Sequence, residues 1–384
     1  MYRLGVVTGT RAEYGLLKPL IEKINRDGEL ELCLIVTGAH LEEKFGNTCQ
    51  EILEDGYIVD YRVPMDLVSD TPKGICVSMG KELTGLADVF EQAGLDLLFL
   101  LGDRYETLAA AIAAMLFRIP IAHLHGGEIT EGAMDDGARH SISKMSALHF
   151  TSTEVYAGRL KQMGEEPGRV WNVGALGVEN IKRIPCLTRE ELCSRYGSLF
   201  ESPYILVTYH PVTLEANSAK SQFEELLQVI SEKREYNYIF TYANADMEGN
   251  AINQLIDRYV ETRQNACAFK SLGQVGYLNA LRHARCVAGN SSSGIIEAPS
   301  FHIPTINIGN RQKGRVCSGT VVSCGNSAEE IREAFTYALS KGFTQKCKQY
   351  SNPYEGQNTS DRILEITKAA LNRGITIKKS FIDL

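Results

Sequence analysis

Missing from this sequence is any grouping of cysteines that would hold a metal. The ten cysteines stand singly, at Cys33, Cys49, Cys76, Cys186, Cys193, Cys267, Cys286, Cys317, Cys324 and Cys347, without a CxxC pair or a Cys/His cluster at zinc spacing. That pattern points to a reduced, cytoplasmic protein with no structural metal. Cys33 and Cys286 fall in apolar, strand-like runs, where a free cysteine serves as a small core residue. Long apolar runs are also lacking: none approaches the roughly 18–20 residues of a membrane span. The first ten residues, MYRLGVVTGT, carry one arginine and a short apolar run broken by glycine, which reads as a first strand rather than a signal peptide. There is no surplus of positive charge. Forty Lys and Arg against 47 Asp and Glu give a net charge of −7, and the pI is near 5.7. Nucleic acid and anionic membranes are therefore poor candidates as partners. Any anionic ligand must be held by local arginines and backbone amides. Neither GxxxxGK[ST] nor GxGxxG occurs, and there is no internal repeat or low-complexity segment.

What is present is a soluble globular composition, 44% hydrophobic, 23% charged and 8% aromatic, with mean hydropathy −0.15. A chain of 384 residues exceeds one ordinary core and implies two domains. Strand-length apolar runs (RLGVV, LELCLIV, LDLLFLL, IPIAHL, VWNVG) alternate with segments such as EYGLLKPLIEKI and TLAAAIAAMLF, apolar at three-to-four spacing. Strands apolar on both faces and separated by helices imply a parallel sheet covered on both sides. The alternation pauses over residues 175–202, then resumes with PYILVTYH, YNYIFTYAN, NACAFKSL, RCVAGN, IPTINIG and GTVVSC. The expected organisation is an α/β chain of two doubly wound, Rossmann-like domains. Residues 1–174 would form the first, 175–202 a linker and 203–357 the second, with 358–384 a helix packing back on the body.

Ligands of such sheets bind beyond the carboxyl ends of the strands, and five strand ends are unusually polar. TGTRAEYG places Arg11 at a strand-to-helix turn, either a phosphate contact or an exposed turn arginine. LLGDRYE delivers Asp103 and Arg104 before a helix, where Asp103 is either a helix cap or a site acid. In IAHLHGGE, period two puts His123 and His125 on one face, followed by Glu128. DDGARHSISKM begins with Asp135 and Asp136 and continues to Arg139, His140 and Ser143; the acid pair either favours the helix dipole or moves protons. In the second half, His210, Asn244, Asp246, the stretch GNSSSGIIE and the basic loop of Arg311, Lys313 and Arg315 complete the set. Ser291 and Ser292 open a helix whose amide donors suit a diphosphate. Glu297, taken as lying inside that helix, would accept the hydroxyls of a ribose. Acids and imidazoles thus gather in the first half and anion-binding groups in the second, the layout of an enzyme acting on a nucleotide sugar.

Eight stretches in order, TGTRAEYGLL, VTGAHL…FGNT, LGDRYE, HLHGGE, DDGARHSISKM, YHPVT, GNSSSGIIE and NIGNRQKGR, resemble the hydrolysing UDP-N-acetylglucosamine 2-epimerases of sialic-acid and related nonulosonic-acid biosynthesis, over essentially the whole chain. The resemblance implies a GT-B-like fold with an interdomain cleft. It implies elimination of UDP to a glycal, then addition of water, giving N-acetylmannosamine without a metal or redox cofactor. Catalytic or sugar-facing roles are implied for Asp103, Asp136 and His210, with Glu128 or His125 supplying a proton transfer. In some relatives a glutamate stands at the position of His125, and Glu128 is the favoured replacement. UDP or sugar contacts fall to Arg11, Arg104, Arg139, Asn244, Ser291, Ser292, Glu297, Arg311 and Arg315. A branch acting on UDP-N,N'-diacetylbacillosamine is the alternative, a GT-B glycosyltransferase a remoter one, and a non-enzymatic nucleotide-sugar sensor the last. Relatives imply a homodimer or homotetramer.

Overall fold

The computed structural model describes the chain except Val68, Asp70, Thr213, Ala216, Asn217, residues 244–248 and Leu384. It divides into two compact units. The first comprises Met1–Glu128, Asp135–Asn180 and Tyr354–Leu384, and the second Ile129–Met134 with Ile181–Pro353.

The first unit holds β1 (Tyr2–Thr8), β2 (Leu30–Thr37), β3 (Tyr61–Val63), β4 (Leu97–Leu101), β5 (Ile121–Leu124), β6 (Leu148–Thr151) and β7 (Val170–Asn172). They form one sheet in the order β3-β2-β1-β4-β5-β6-β7, every pair parallel. The run LDLLFLL explains why the sheet is buried twice over. Leu97, Phe99 and Leu101 enter one core, together with Leu17, Leu20 and Ile21 of the helix Arg11–Arg26. Leu98 and Leu100 enter a second core with Leu86, Phe90 and Ala110. Opposite faces of one strand thus feed two cores. The helix Thr359–Arg373 adds Ile363, Leu364, Ala370 and Leu371 to the first core. Lys368 ties it to Asp27 at 2.8 Å.

The second unit repeats the plan with β8 (Tyr204–Thr208), β9 (Asn237–Thr241), β10 (Ala266–Phe269), β11 (Cys286–Gly289), β12 (Thr305–Ile308) and β13 (Val321–Cys324). Their order is β10-β9-β8-β11-β12-β13, again all parallel. Ile205 and Val207 face one core, Tyr204 and Leu206 the other. Each sheet therefore reverses its direction of growth at one place, between β1 and β4 and between β8 and β11. In open α/β sheets the crevice beyond those strand ends is where ligands sit. Cys33 and Cys286 are fully buried in these strands. Among the described residues, no helix is long and apolar enough to cross a membrane.

Candidate functional site

At the first reversal point, β1 runs into Gly9, the cap residue Thr10 and Arg11, the first residue of its helix. Thr10 accepts the Glu13 N–H. Glu13 is 8% exposed, and its Oε2 accepts the Gly9 N–H at 2.6 Å. Burial is the main reason its carboxyl is pushed up to about 8, with Glu106 adding to the rise and Arg104 opposing it. Arg11, half-buried, donates to Glu51 at 2.8 Å, so it is engaged on this loop rather than loose on a turn.

The end of β4 delivers Asp103 and Arg104. The cap of the helix Tyr105–Leu116 is Arg104, with no side-chain cap bond. Asp103 therefore lies outside the helix and the capping alternative falls away. Its carboxylate instead forms an ion pair with Arg139. Arg139 is only 1% exposed. It also donates to Asp136 Oδ1 at 3.0 Å and to the Glu128 carbonyl at 2.9 Å. One buried guanidinium thus gathers two acids and the turn after β5. Asp136 Oδ2 lies 3.5 Å from His140 Nε2. Arg104 donates to Glu106 at 2.6 Å.

The two histidines near β5 part company. His123 is fully buried, with Nε2 against the Gly102 carbonyl at 2.7 Å and Nδ1 against Ser143 Oγ at 3.0 Å. Burial drives it down to about 3, so it is a neutral pin in the core. The expectation that both imidazoles lie on one strand face is corrected, because the strand stops at Leu124. His125 comes after the strand with φ +67°, in a left-handed conformation that costs a non-glycine residue of order 1 kcal/mol. Its N–H is bonded to the Phe150 carbonyl at 2.9 Å. Its Nδ1 meets Glu128 Oε1 at 2.9 Å. Glu128, 2% exposed, also accepts the Ser152 hydroxyl at 2.7 Å. Gly127, φ +76°, is required between them: a β-carbon there would fall 2.5 Å from the Tyr156 carbonyl.

The second unit brings a separate group together. His210 follows β8, and its N–H donates to Asn290 Oδ1 while Asn290 Nδ2 donates to its carbonyl, both at 2.7 Å. Two adjacent strand ends are thereby locked. The Asn290 carbonyl accepts Arg311 at 3.1 Å and Gln312 at 2.9 Å. Gly289, φ +134°, lets β11 pass β8, since a β-carbon would sit 1.9 Å from the Thr208 carbonyl. Arg315 continues the basic loop, its N–H donating to the Gln312 carbonyl at 3.2 Å. Ile129–Met134 belongs to this unit, with the Glu131 N–H on the Lys313 carbonyl at 3.1 Å.

One expectation here is corrected. The serine stretch starts a helix of one turn, Ser293–Ile296, whose cap Ser292 makes no side-chain cap bond. Glu297 ends that turn instead of lying within it. The proline at residue 299 and the tighter turn Ala298–Phe301 stop propagation. Asn244 and Asp246 lie outside the described residues. Sequence reasoning missed Glu13, Glu106, Ser152, Asn290 and Gln312. Asn290 had a visible signal, an amide side chain at a strand tip before a serine run. Ser152, 24 residues from Glu128, had none. Among the described residues, no group of three or more His, Cys, Asp or Glu is placed to hold a metal ion.

Known proteins share this architecture and sequence. The family model described as UDP-N-acetylglucosamine 2-epimerase matches residues 22–368. The chain is 39% identical over 383 residues, 100% of itself and 99% of the other, to the GDP/UDP-N,N'-diacetylbacillosamine 2-epimerase (hydrolyzing) of Campylobacter jejuni. It is 37% identical to the UDP-N,N'-diacetylbacillosamine 2-epimerase (hydrolyzing) of Legionella pneumophila over 362 residues, 94% of each chain. The UDP-GlcNAc 2-epimerase of Neisseria meningitidis, solved bound to UDP-GlcNAc, has the same fold: TM-score 0.81 at 20% identity, covering 96% of this chain and 100% of that one.

Proposed function

This chain belongs to the UDP-N-acetylglucosamine 2-epimerase family, and from that premise we propose that it hydrolyses a UDP-linked 2-acetamido sugar with inversion at carbon 2. The C2–H electron pair becomes a C1=C2 bond while the anomeric C–O pair leaves with UDP. Water then adds, its hydroxyl to carbon 1 and a proton to the opposite face of carbon 2. UDP and the free manno-configured sugar are released, and the atoms balance with water alone. The C2 proton is weakly acidic, so a positioned base and stabilisation of the leaving group must act together. Inversion requires a second proton donor on the other face.

The observation that carries this reading is one buried arginine, Arg139, holding Asp103 and Asp136 together beside the His125–Glu128 turn. A module that only binds a nucleotide sugar needs no such crowding of proton-transfer groups, and a glycosyltransferase needs only one base. In our assignment these residues serve the sugar ring. Arg11, Arg104, Asn244, His210, Ser291, Ser292, Glu297, Arg311 and Arg315 serve the UDP. His210 and Arg311, joined through Asn290, would stabilise charge developing on the diphosphate. The names of the two bacterial relatives favour the diacetamido sugar over N-acetylglucosamine. A pocket can strongly reject an acetamido group where a hydroxyl belongs, or the reverse. The enzyme is further taken to be a cytoplasmic homodimer or homotetramer, which sedimentation measures.

The test is incubation with each sugar nucleotide separately in deuterated water. UDP release with deuterium at carbon 2 of the free product is expected, with higher kcat/KM for the diacetamido substrate. Product without deuterium there would eliminate the mechanism. Asp103→Asn should slow turnover by about 100-fold or more while UDP still binds.

A further inference from the structure

We propose that His125 is the proton-transferring base of this site, acting through Nε2, and that Glu128 is a positioning residue which works only through His125. The inference rests on the functional reading above and divides a labour that reading leaves undivided.

Three observations carry it. The first concerns which nitrogen is available. A carboxylate only accepts hydrogen bonds, so the 2.9 Å contact with Glu128 Oε1 places the hydrogen on Nδ1. In the neutral ring the lone pair is then on Nε2, the nitrogen facing away from Glu128. That atom is out of solvent and has no hydrogen-bond partner among the described residues. An unpaired buried nitrogen is disfavoured unless something else is meant to meet it. His123, two residues earlier, shows the contrast, since both its nitrogens are engaged.

The second observation is that Glu128 is already committed. It is buried, and the oxygen that meets His125 also takes the Ser152 hydroxyl at 2.7 Å. Its carbonyl takes Arg139 at 2.9 Å. A carboxylate held in this way orients a neighbour; it is poorly placed to reach a sugar ring. An acid fixing one imidazole nitrogen so that the other can work is the logic of base–orienter pairs generally. The third observation is the backbone. His125 is held at φ +67° with its N–H on the Phe150 carbonyl, so the ring direction is set from both ends. Strained non-glycine conformations cluster where direction matters for chemistry. Because Arg139 bonds the Glu128 carbonyl and both Asp103 and Asp136, the pair is wired to the remaining acids.

In the proposed step the Nε2 lone pair takes the C2 proton as UDP departs, leaving an imidazolium whose Nδ1–H faces the Glu128 anion. His125→Asn separates the two functions. Asparagine tolerates the left-handed backbone, and its amide nitrogen can replace the Nδ1 contact, but no atom replaces Nε2.

The experiment is a four-enzyme cycle of full-length wild type, His125→Asn, Glu128→Gln and the double variant. Readouts are turnover of the UDP-sugar, UDP affinity by calorimetry and melting temperature. Wild type that fails to release UDP and C2-deuterated sugar defeats the functional reading itself, before the dyad is reached. With active wild type, His125→Asn should lose about 100-fold or more in kcat with UDP affinity within about twofold. Glu128→Gln should lose about 10- to 100-fold, and the double variant should be no slower than His125→Asn alone, the non-additivity of residues acting as a unit. His125→Asn within about threefold of wild type overturns the proposal. So does a double variant whose loss is the product of the single losses, because that is the signature of independent roles. If Glu128→Gln does not fold, Ser152→Ala, which frees Glu128 to swing, replaces it in the cycle under the same criterion.

Discussion

Replacing Glu13 with glutamine should make this protein more stable in mildly alkaline solution, and the gain should grow with pH. The carboxyl sits behind the Gly9–Arg11 turn and is pushed from 4.5 to about 8, chiefly by burial. Glu106 lies nearby, 2% exposed, and Glu82, fully buried, is likewise held well above the usual carboxylate range. Between pH 4.5 and 8 the folded chain therefore holds a proton on Glu13 that the unfolded chain has released. The proton difference, unfolded minus folded, is about −1 in that window, so unfolding free energy falls by about 1.4 kcal/mol per pH unit. Stability contributed by the protonated acid is complete below pH 4.5 and lost as pH rises towards 8. Over the full window this is about 5 kcal/mol, and between pH 5 and pH 8 about 3 kcal/mol. Glutamine has the shape of the protonated acid, and its amide oxygen can keep the 2.6 Å bond from the Gly9 N–H, yet it does not ionise. Denaturant unfolding of wild type and Glu13→Gln at unit pH steps from 5 to 9 measures the effect. The difference between them should widen by about 3 kcal/mol by pH 8. Parallel curves would refute the assignment of a buried, protonated Glu13.

Arg139→Met should cost about 2–4 kcal/mol, since it leaves Asp103 and Asp136 without their shared cation; the two acids are 20% and 29% exposed, so hydration softens the loss. Turnover should fall at least about 100-fold, with UDP affinity much less affected, by parallel calorimetry and product assays. Lys379→Met should remove bonds to the Lys144 and Ser146 carbonyls at 2.8 and 2.7 Å and to Glu165 at 2.7 Å. Amide exchange at the end of the helix Asp135–Met145 should then rise by about 10-fold or more. Gly289→Ala should abolish UDP binding or folding, because its β-carbon would collide with the Thr208 carbonyl; retention of both with unchanged Tm would contradict the close strand passage. On the acid side, His40 and His123 are held near 4 and 3 by burial. They are neutral in the fold where the unfolded chain would bind protons, so their own contribution to stability should fall from pH 6.5 downward, against the opposite trend from Glu13. His40→Gln and His123→Gln should each lose that part of the pH dependence relative to wild type, measurable by denaturant unfolding.

Most strands were readable because a strand buried on both faces is a largely apolar run with its polar residues at the ends, as in LDLLFLL and PYILVTYH. Two escaped. Tyr61–Val63 has three residues at a sheet edge, too short for any periodicity. Leu148–Thr151 contains His149, which pairs with Glu165 at 2.9 Å in the core and so disguises a buried strand as a polar one. The polar strand tips were legible as a set, since chemistry in this fold class collects there. What each tip does was not, because function depends on partners distant in sequence. Asp103 meets Arg139 across 36 positions, a partner that local sequence does not reveal.

Histidines show the same limit from the other side. His123 and His125 are two residues apart on a strand with clean alternation, and sequence alone treats them alike. The strand ends between them, at Leu124. His123 stays in the sheet, where burial and two satisfied nitrogens make it inert, while His125 turns into a left-handed backbone and keeps one nitrogen unsatisfied among the described residues. A strand one residue longer would have put His125 in register with the buried face and removed it from chemistry. The proton transfer proposed for His125 therefore depends on where β5 stops, at Leu124, just before Gly126 and Gly127. A β-carbon at residue 126 would lie 2.9 Å from both the His123 ring and Ser143 Oγ. Gly126→Ala should accordingly displace the turn carrying His125 and Glu128 and lower kcat without weakening UDP binding; unchanged kcat in a folded variant would show that the turn geometry is not what aims the imidazole.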